Sequence, residues 1–120
     1  MAVYYIDPKT GDNRNGGLDE QHAKANDREL SLLPGDAVLY RRGSLIRDVM
    51  HNQCGAPGRP ITYSAYGEGE PPTFCGSTAA DDPAKWREEE ENIWSYPIAD
   101  ELGNIVFNHG EHFGALRWSK

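Results

Sequence analysis

No hydrophobic run in this sequence approaches the roughly 20 residues that a membrane-crossing helix needs, so no such span is expected. Cysteine is scarce: Cys54 and Cys75 are the only two. They form no Cys-x-x-Cys, and no His or Cys pair has zinc spacing. That excludes a disulfide framework and leaves open a single bridge or two reduced, buried thiols. Gly-x-Ser-x-Gly, a phosphate-binding loop and a dinucleotide fingerprint are all missing, and Cys54 lacks a partner motif that would make it a nucleophile. Positive charge is in deficit. Twelve Lys and Arg face 19 Asp and Glu, for a net charge of -7. This argues against a nucleic-acid backbone or an anionic membrane as partner. It also works against polyuronates, unless a basic patch or a cation bridges the two; a neutral glycan meets no such penalty. Met1 leads straight into Ala2-Val3-Tyr4-Tyr5-Ile6 with no basic segment before an apolar run. The expectation is a cytoplasmic protein, unless its parent is secreted and a signal has been removed.

What is present points to short strands and tight turns. Gly (13) and Pro (8) are well above ordinary usage for 120 residues. Three Trp, six Tyr and three Phe are too many for a disordered acidic chain. The length fits one domain with a modest core.

Along the chain, Ala2 to Ile6 reads as a strand ending at Asp7-Pro8. A polar loop runs from Asp7 to Gly17. Asp19 to Leu30 carries helix formers behind a candidate N-cap, Asp19, with a thin apolar face of Ala23, Ala25 and Leu30. Strands are expected at Ala37 to Tyr40, Leu45 to Met50, Ile61 to Tyr66 and Thr73 to Cys75, with breaks at Pro34-Gly35, Arg42-Gly43 and Gly67 to Pro72. The character changes near Ser77. Pro83 begins a helical turn, and Glu88 to Glu91 is an acidic run. Asn92 to Ile98 and Gly103 to Asn108 read as two strands, with a hairpin across Ala99 to Leu102. A last strand covers Ala115 to Trp118. The expected division is residues 1–76 and an inserted or appended β segment at 77–120, within one compact unit.

The most telling feature is a repeat. Pro34-Gly35-Asp36-Ala37-Val38-Leu39-Tyr40 matches Pro57-Gly58-Arg59-Pro60-Ile61-Thr62-Tyr63 at an offset of 23. A period of roughly 20 to 30 residues is that of one solenoid coil, which buries its inward side chains only by stacking on the next. The repeat predicts Val38 over Ile61, Tyr40 over Tyr63 and Pro-Gly at both corners. Coincidence in a Pro- and Gly-rich chain is the rival explanation.

The order Tyr4-Tyr5-Ile6-Asp7-Pro8, then Gly11-Asp12-Asn13 and Gly16-Gly17, resembles the start of right-handed parallel β-helix proteins of the pectate-lyase-like superfamily. Pro34 to Leu39 with Arg42-Gly43 resembles their first coil. Gly58-Arg59-Pro60-Ile61-Thr62-Tyr63 with Ala65-Tyr66-Gly67-Glu68-Gly69 and Pro71-Pro72 resembles the next. Asn104 to Asn108 with Trp118 is similar to an inserted β segment of the glycoside-hydrolase-like members. The family carries a longer amphipathic segment where this chain has only Gln21-His22-Ala23-Lys24. The resemblance implies a mostly β fold: the first coils of a right-handed parallel β-helix with an N-terminal strand, one short helix and an appended small β segment. It also implies a polysaccharide-acting parent whose catalytic groove lies on later coils.

Four groups of residues carry candidate chemistry. His109, Glu111 and His112 flank Gly110 and could share proton transfer or bind a metal; an exposed turn is the simpler account. Asp7, Asp12, Asn13, Asn15 and Asp19 form an oxygen-rich loop of the kind calcium prefers, although Asx-turns explain them as well. Trp86, Trp94, Tyr96 and Trp118 offer flat faces for sugar C–H surfaces, or else a small core. Glu68 with Glu70, and Glu88 to Glu91, could pair as carboxylates, or lie solvated on turns.

Three functions follow. The first is the N-terminal part of a polysaccharide-acting β-helix protein, a glycoside hydrolase or polysaccharide lyase, without catalysis of its own. The second is a free-standing carbohydrate-binding module using the Trp and Tyr platform. The third is a non-catalytic structural or interaction domain, able to self-associate through exposed strand edges. In the first two the partner is a poly- or oligosaccharide.

Overall fold

A computed structural model describes residues 1–99 and 105–114. The chain divides into two units, Met1–Thr78 and Ala79–Lys120. The described residues are mostly β, in small sheets, with three 3-10 turns and no α-helix. No helix among them is long and apolar enough to cross a membrane.

The first unit is a stack of parallel strands. β1 (Val3–Ile6), β2 (Ala37–Arg41) and β4 (Thr62–Tyr66) form one sheet in the order β1-β2-β4. β3 (Leu45–Ile46) and β5 (Thr73–Phe74) form a second parallel pair. The chain therefore traverses both sheets twice, β2 then β3, β4 then β5. Side chains alternate along each strand, and the inward set lies on shared rungs: Tyr4–Val38–Tyr63 and Ile6–Tyr40–Ala65. Ile6, Leu30, Val38, Tyr40 and Ile46 make the core, with Tyr4, Leu32, Met50 and Tyr63 packed against it. Phe74 meets the Tyr40 ring edge-on at 5.0 Å.

The corners recur at 23 residues, but the strands recur at 25. Asp36 N–H bonds Leu33 C=O across Pro34-Gly35, and Arg59 N–H bonds Ala56 C=O across Pro57-Gly58. Gly35 and Gly58 both take positive φ, 96° and 73°, which glycine adopts without a Cβ clash. After the first corner the strand begins at once with Ala37. After the second, Pro60 and Ile61 intervene before Thr62. Val38 consequently lies opposite Tyr63, not Ile61, and Tyr40 lies opposite Ala65, not Tyr63. A slip of two preserves the faces, so the inward residues on β2 are those expected while their partners change.

Two expected elements shrink. Asp19 to Leu30 forms only a 3-10 turn, Glu20–His22, with Asp19 capping the His22 N–H at 2.8 Å. The helix fails because Lys24 pairs with the free edge of β1: its N–H bonds Tyr5 C=O and its C=O accepts from Asp7. Gly11 is held against this crossing so closely that a Cβ would lie 2.4 Å from the carbonyl oxygens of Asp7 and Lys24. The strand expected at Leu45 to Met50 stops at Ile46, because its partner β5 is two residues long and Asp48 turns its carboxylate onto the Val49 N–H.

Three buried carboxylates fasten the connections. Asp7, 1% exposed, accepts from the amides of Lys9 and Thr10, from the Thr10 hydroxyl and, at 2.6 Å, from Arg41 Nη1. Asp27 accepts from the Tyr40 hydroxyl at 2.9 Å, and from the backbone N–H and Nδ1 of His51. Asp36 accepts from the N–H groups of Ala2 and Leu33. Burial pushes the Asp7 pKa up, but the combined hydrogen bonds outweigh it and hold the group at about 2, below the ordinary 3.8. Burial and the Asp27 carboxylate push the Tyr40 hydroxyl far above its ordinary value.

The second unit holds two antiparallel pairs. β6 (Arg87–Glu90) pairs with β7 (Ile93–Ser95) around Glu91-Asn92, where Asn92 takes φ 63°. β8 (Val106–Phe107) pairs with β9 (His112–Phe113) around the 3-10 turn Asn108–Gly110. Pro83 begins the expected helical turn, Pro83–Lys85, with Asp82 as its cap. The turn of the hairpin expected between Asn92–Ile98 and Gly103–Asn108 lies outside the described residues. Glu88 to Glu90 of the acidic run lie in β6, with a register shift between Glu88 and Glu90, and Glu89 accepts from Arg87 and the Ser95 hydroxyl on one face of the pair. The strand expected at Ala115 to Trp118 lies outside the described residues.

The register is open to a direct check. In urea unfolding, Val38→Ala and Tyr63→Ala should couple by roughly 0.5–1 kcal/mol, while Val38→Ala and Ile61→Ala should be close to additive; the opposite pattern contradicts the 25-residue spacing. Acid unfolding tests Asp7. Its folded pKa lies below its unfolded value, so its contribution is complete above about pH 4 and is lost as pH falls toward 2, on the order of 2 kcal/mol. Asp7→Asn should flatten that part of the stability profile, and an unchanged acid limb contradicts the assignment.

Candidate functional site

The β6–β7 hairpin sorts its side chains by face. In the antiparallel register Glu88 lies opposite Trp94 and Arg87 opposite Ser95. Trp86 precedes Glu88 by two residues, and Tyr96 follows Trp94 by two, so all four share one face. The Trp86 and Tyr96 rings meet at 5.1 Å with a 52° tilt. The Trp86 indole N–H is fixed on Ala80 C=O at 2.7 Å. Trp94 is 55% exposed. The opposite face holds Arg87, Glu89 and Ser95, where hydrogen bonds from Ser95 and Arg87 lower the Glu89 pKa. Alternation thus brings together Trp86, Trp94 and Tyr96 beside a carboxylate; Trp118 lies outside the described residues.

The oxygen-rich loop is occupied by its own backbone and neighbours. Asp7 is committed as above. Asp12 holds Arg14 at 2.6 Å, which keeps its carboxyl at about 2. Asn13 accepts from the amides of Ala25 and Asn26, Asn15 donates to Ala23 C=O, and Asp19 caps the 3-10 turn. Among the described residues no group of three or more His, Cys, Asp or Glu is arranged to hold a metal.

Glu111 and His112 are exposed after the Asn108–Gly110 turn, and His112 sits in β9 opposite Phe107; the His109 side chain lies outside the described residues. Glu68 and Glu70 are exposed in a turn where Gly67 and Gly69 take positive φ. Both cysteines are free, Cys54 exposed and Cys75 partly so, which removes the bridge and the buried-thiol readings. Hydrogen bonds from Ser77, with Arg47 nearby, draw the Cys75 thiol pKa down.

Two features went unread in the sequence. One is the Asp27–His51 pair. The other is a hollow of about 520 Å³ beside β1 and β2, lined by Asp7 to Thr10 and Arg41 to Leu45. Their components are more than 20 residues apart, so no local spacing announces them.

No family model matches the chain. Over 77 aligned residues, 58% of the chain, it is 39% identical to the lacto-N-biosidase of Bifidobacterium longum subsp. longum. The crystal structure of the GH136 lacto-N-biosidase from Eubacterium ramulus superposes on 57% of the chain with a TM-score of 0.52 and 34% identity. A rhamnogalacturonan lyase superposes on 62% of the chain and 22% of its own, with a TM-score of 0.47 and 22% identity. The chain spans 5% of the length of the curated relative and 12% of the Eubacterium chain. Over part of its length, this chain has relatives among carbohydrate-active enzymes.

Proposed function

We propose that this chain forms the opening coils of a right-handed parallel β-helix of the pectate-lyase-like kind, within a protein that acts on a poly- or oligosaccharide by hydrolysis or by lyase chemistry. The observation that carries this reading is the double traverse of two parallel sheets, β2–β3 beneath β4–β5. A carbohydrate-active relative 34% identical to this chain shares its fold over more than half of the chain. These residues act as scaffold. Glycoside hydrolysis needs two carboxyl groups held about 5–10 Å apart across the bond. The buried carboxylates Asp7, Asp27 and Asp36 are instead bound to backbone and side-chain donors, and Glu68 and Glu70 sit on an exposed glycine turn. The 120-residue chain, incubated with neutral and acidic polysaccharides, should release neither new reducing ends nor an ultraviolet-absorbing unsaturated uronide. Either product contradicts the scaffold role.

The hairpin face supports a second reading, a carbohydrate-binding surface. Trp94 supplies the exposed ring, the Trp86–Tyr96 pair a fixed wall, and Glu88 an acceptor for sugar hydroxyls. Retention on neutral-glycan affinity gels should fall about tenfold in Trp94→Ala and recover in Trp94→Tyr, consistent with about 1.4 kcal/mol of ring contact. Equal retention of all three proteins, or of none, removes this reading.

A further inference from the structure

We propose that the β6–β7 hairpin face binds the trimethylammonium head of a choline-type ligand. The inference does not rest on the carbohydrate reading. It gives the same face a cationic ligand, where a neutral sugar carries no charge.

The antiparallel register sets the geometry. Glu88 lies opposite Trp94 and Arg87 opposite Ser95, so Trp86 and Tyr96 are the next pair outward, and their rings meet at 5.1 Å. Directly opposite residues stand about 5 Å apart, and residues two apart on one strand about 7 Å. The four side chains therefore leave the backbone at the corners of a rectangle. Three corners are aromatic and the fourth is a carboxylate. The Trp86 indole N–H is fixed on Ala80 C=O at 2.7 Å and its ring rests on Tyr96, so that edge of the rectangle is preformed. Trp94 is 55% exposed and Glu88 is exposed, so the other edge is open to a ligand.

This composition suits a methylated cation. An aromatic face attracts a cation within about 6 Å of the ring centroid, and Trp does so most strongly. A trimethylammonium group spreads its charge over apolar methyls, which contact rings while losing little hydration; a primary ammonium is strongly hydrated and gives up more. The Glu88 carboxylate supplies the counter-charge. Its contact among the described residues is a long one, from the Asn92 N–H at 3.4 Å, so it keeps acceptor capacity. The neighbouring charges do not cancel it. Arg87 and Glu89 bond each other on the opposite face, Glu90 lies opposite Ile93 beyond the register shift, and Glu91 is exposed in the turn. Among the described residues of the second unit, Asp81, Asp82, Glu88 to Glu91 and Glu111 outnumber the two cations, Lys85 and Arg87. That excess repels an anion and favours a cation.

NMR titration of the 120-residue chain checks the proposal. The probes are choline chloride, ethanolamine, and 3,3-dimethylbutan-1-ol, the uncharged isostere of choline. The Trp indole N–H signals should shift saturably with choline. Ethanolamine should bind several-fold more weakly, and the isostere at least about fivefold more weakly, the loss expected without cation–π attraction. Trp94→Leu, which keeps apolar area and removes the ring, should weaken choline about fivefold, and Trp94→Phe by less. Glu88→Gln should weaken it about two- to fivefold, and raised sodium chloride should do the same to the unmodified chain. An unchanged near-ultraviolet circular dichroism band shows that the Trp86–Tyr96 pair survives each substitution. Cosedimentation with phosphatidylcholine vesicles assigns the head group to lipid; choline binding without cosedimentation assigns it to a free ligand. Equal affinity for choline and its isostere overturns the proposal, and that comparison uses the unmodified chain. So does unchanged choline affinity in both Trp94→Leu and Glu88→Gln. Retention on glycan gels with no response to choline overturns it and leaves the carbohydrate reading intact; a choline response with no glycan retention removes only the carbohydrate reading.

Discussion

Parallel strands cannot be joined by a tight hairpin, so every rung of the first unit depends on what holds the connection between strands. In this molecule the answer is a set of buried carboxylates. The chain leaves β1 at Ile6 and returns at Ala37; Asp7 fastens the departure and Asp36 the return, while Asp27 ties the middle of the path to Tyr40 and His51. A buried carboxylate without partners would be strongly unfavourable. Each of these three accepts from backbone N–H groups or from side chains, so the cost of burial is offset and the loop acquires one geometry. The small apolar core of five residues does not have to specify the loops as well.

The same division of labour explains what was legible. Turn chemistry is local, so Pro34-Gly35 and Pro57-Gly58 announce equivalent corners from sequence alone. Strand register is set by the distance from corner to strand, and Pro60-Ile61 add two residues that no local rule reveals. The inward identity of Val38 and Tyr40 was readable because a two-residue slip leaves the alternation intact. Their partners were not. The failed helix at Asp19 to Leu30 has a similar origin: its propensity is local, but the Lys24 backbone finds partners on β1, an element reached only through the fold.

For the candidate sites the contrast runs along sequence separation. Trp86, Glu88, Trp94 and Tyr96 lie within eleven residues, and strand alternation alone places them on one face; Glu88 was missed because an acidic run suggests solvent, while here it is a strand with two different faces. The basic hollow joins Lys9 to Arg41 and Arg42 across more than 30 residues. Only the parallel register of Ile6 with Tyr40 brings them side by side, so no reading of spacing could assemble it.

Net charge describes this chain only on average. The acidic excess is not evenly spread. Part of the negative charge is internal, on carboxylates already bound to N–H and O–H donors, and part sits on the β6–β7 strands. Where β1 and β2 leave their sheet, Lys9, Arg41 and Arg42 stand with Asp7, which pairs with Arg41. Asp7 belongs to both accounts: it is buried negative charge that fixes a loop, and in doing so it aims a guanidinium outward. A carboxylate that stabilises the fold by holding Arg41 cannot also act as a free acid or base. The interaction that fastens the departure from β1 therefore removes Asp7 from the groups able to do acid–base chemistry.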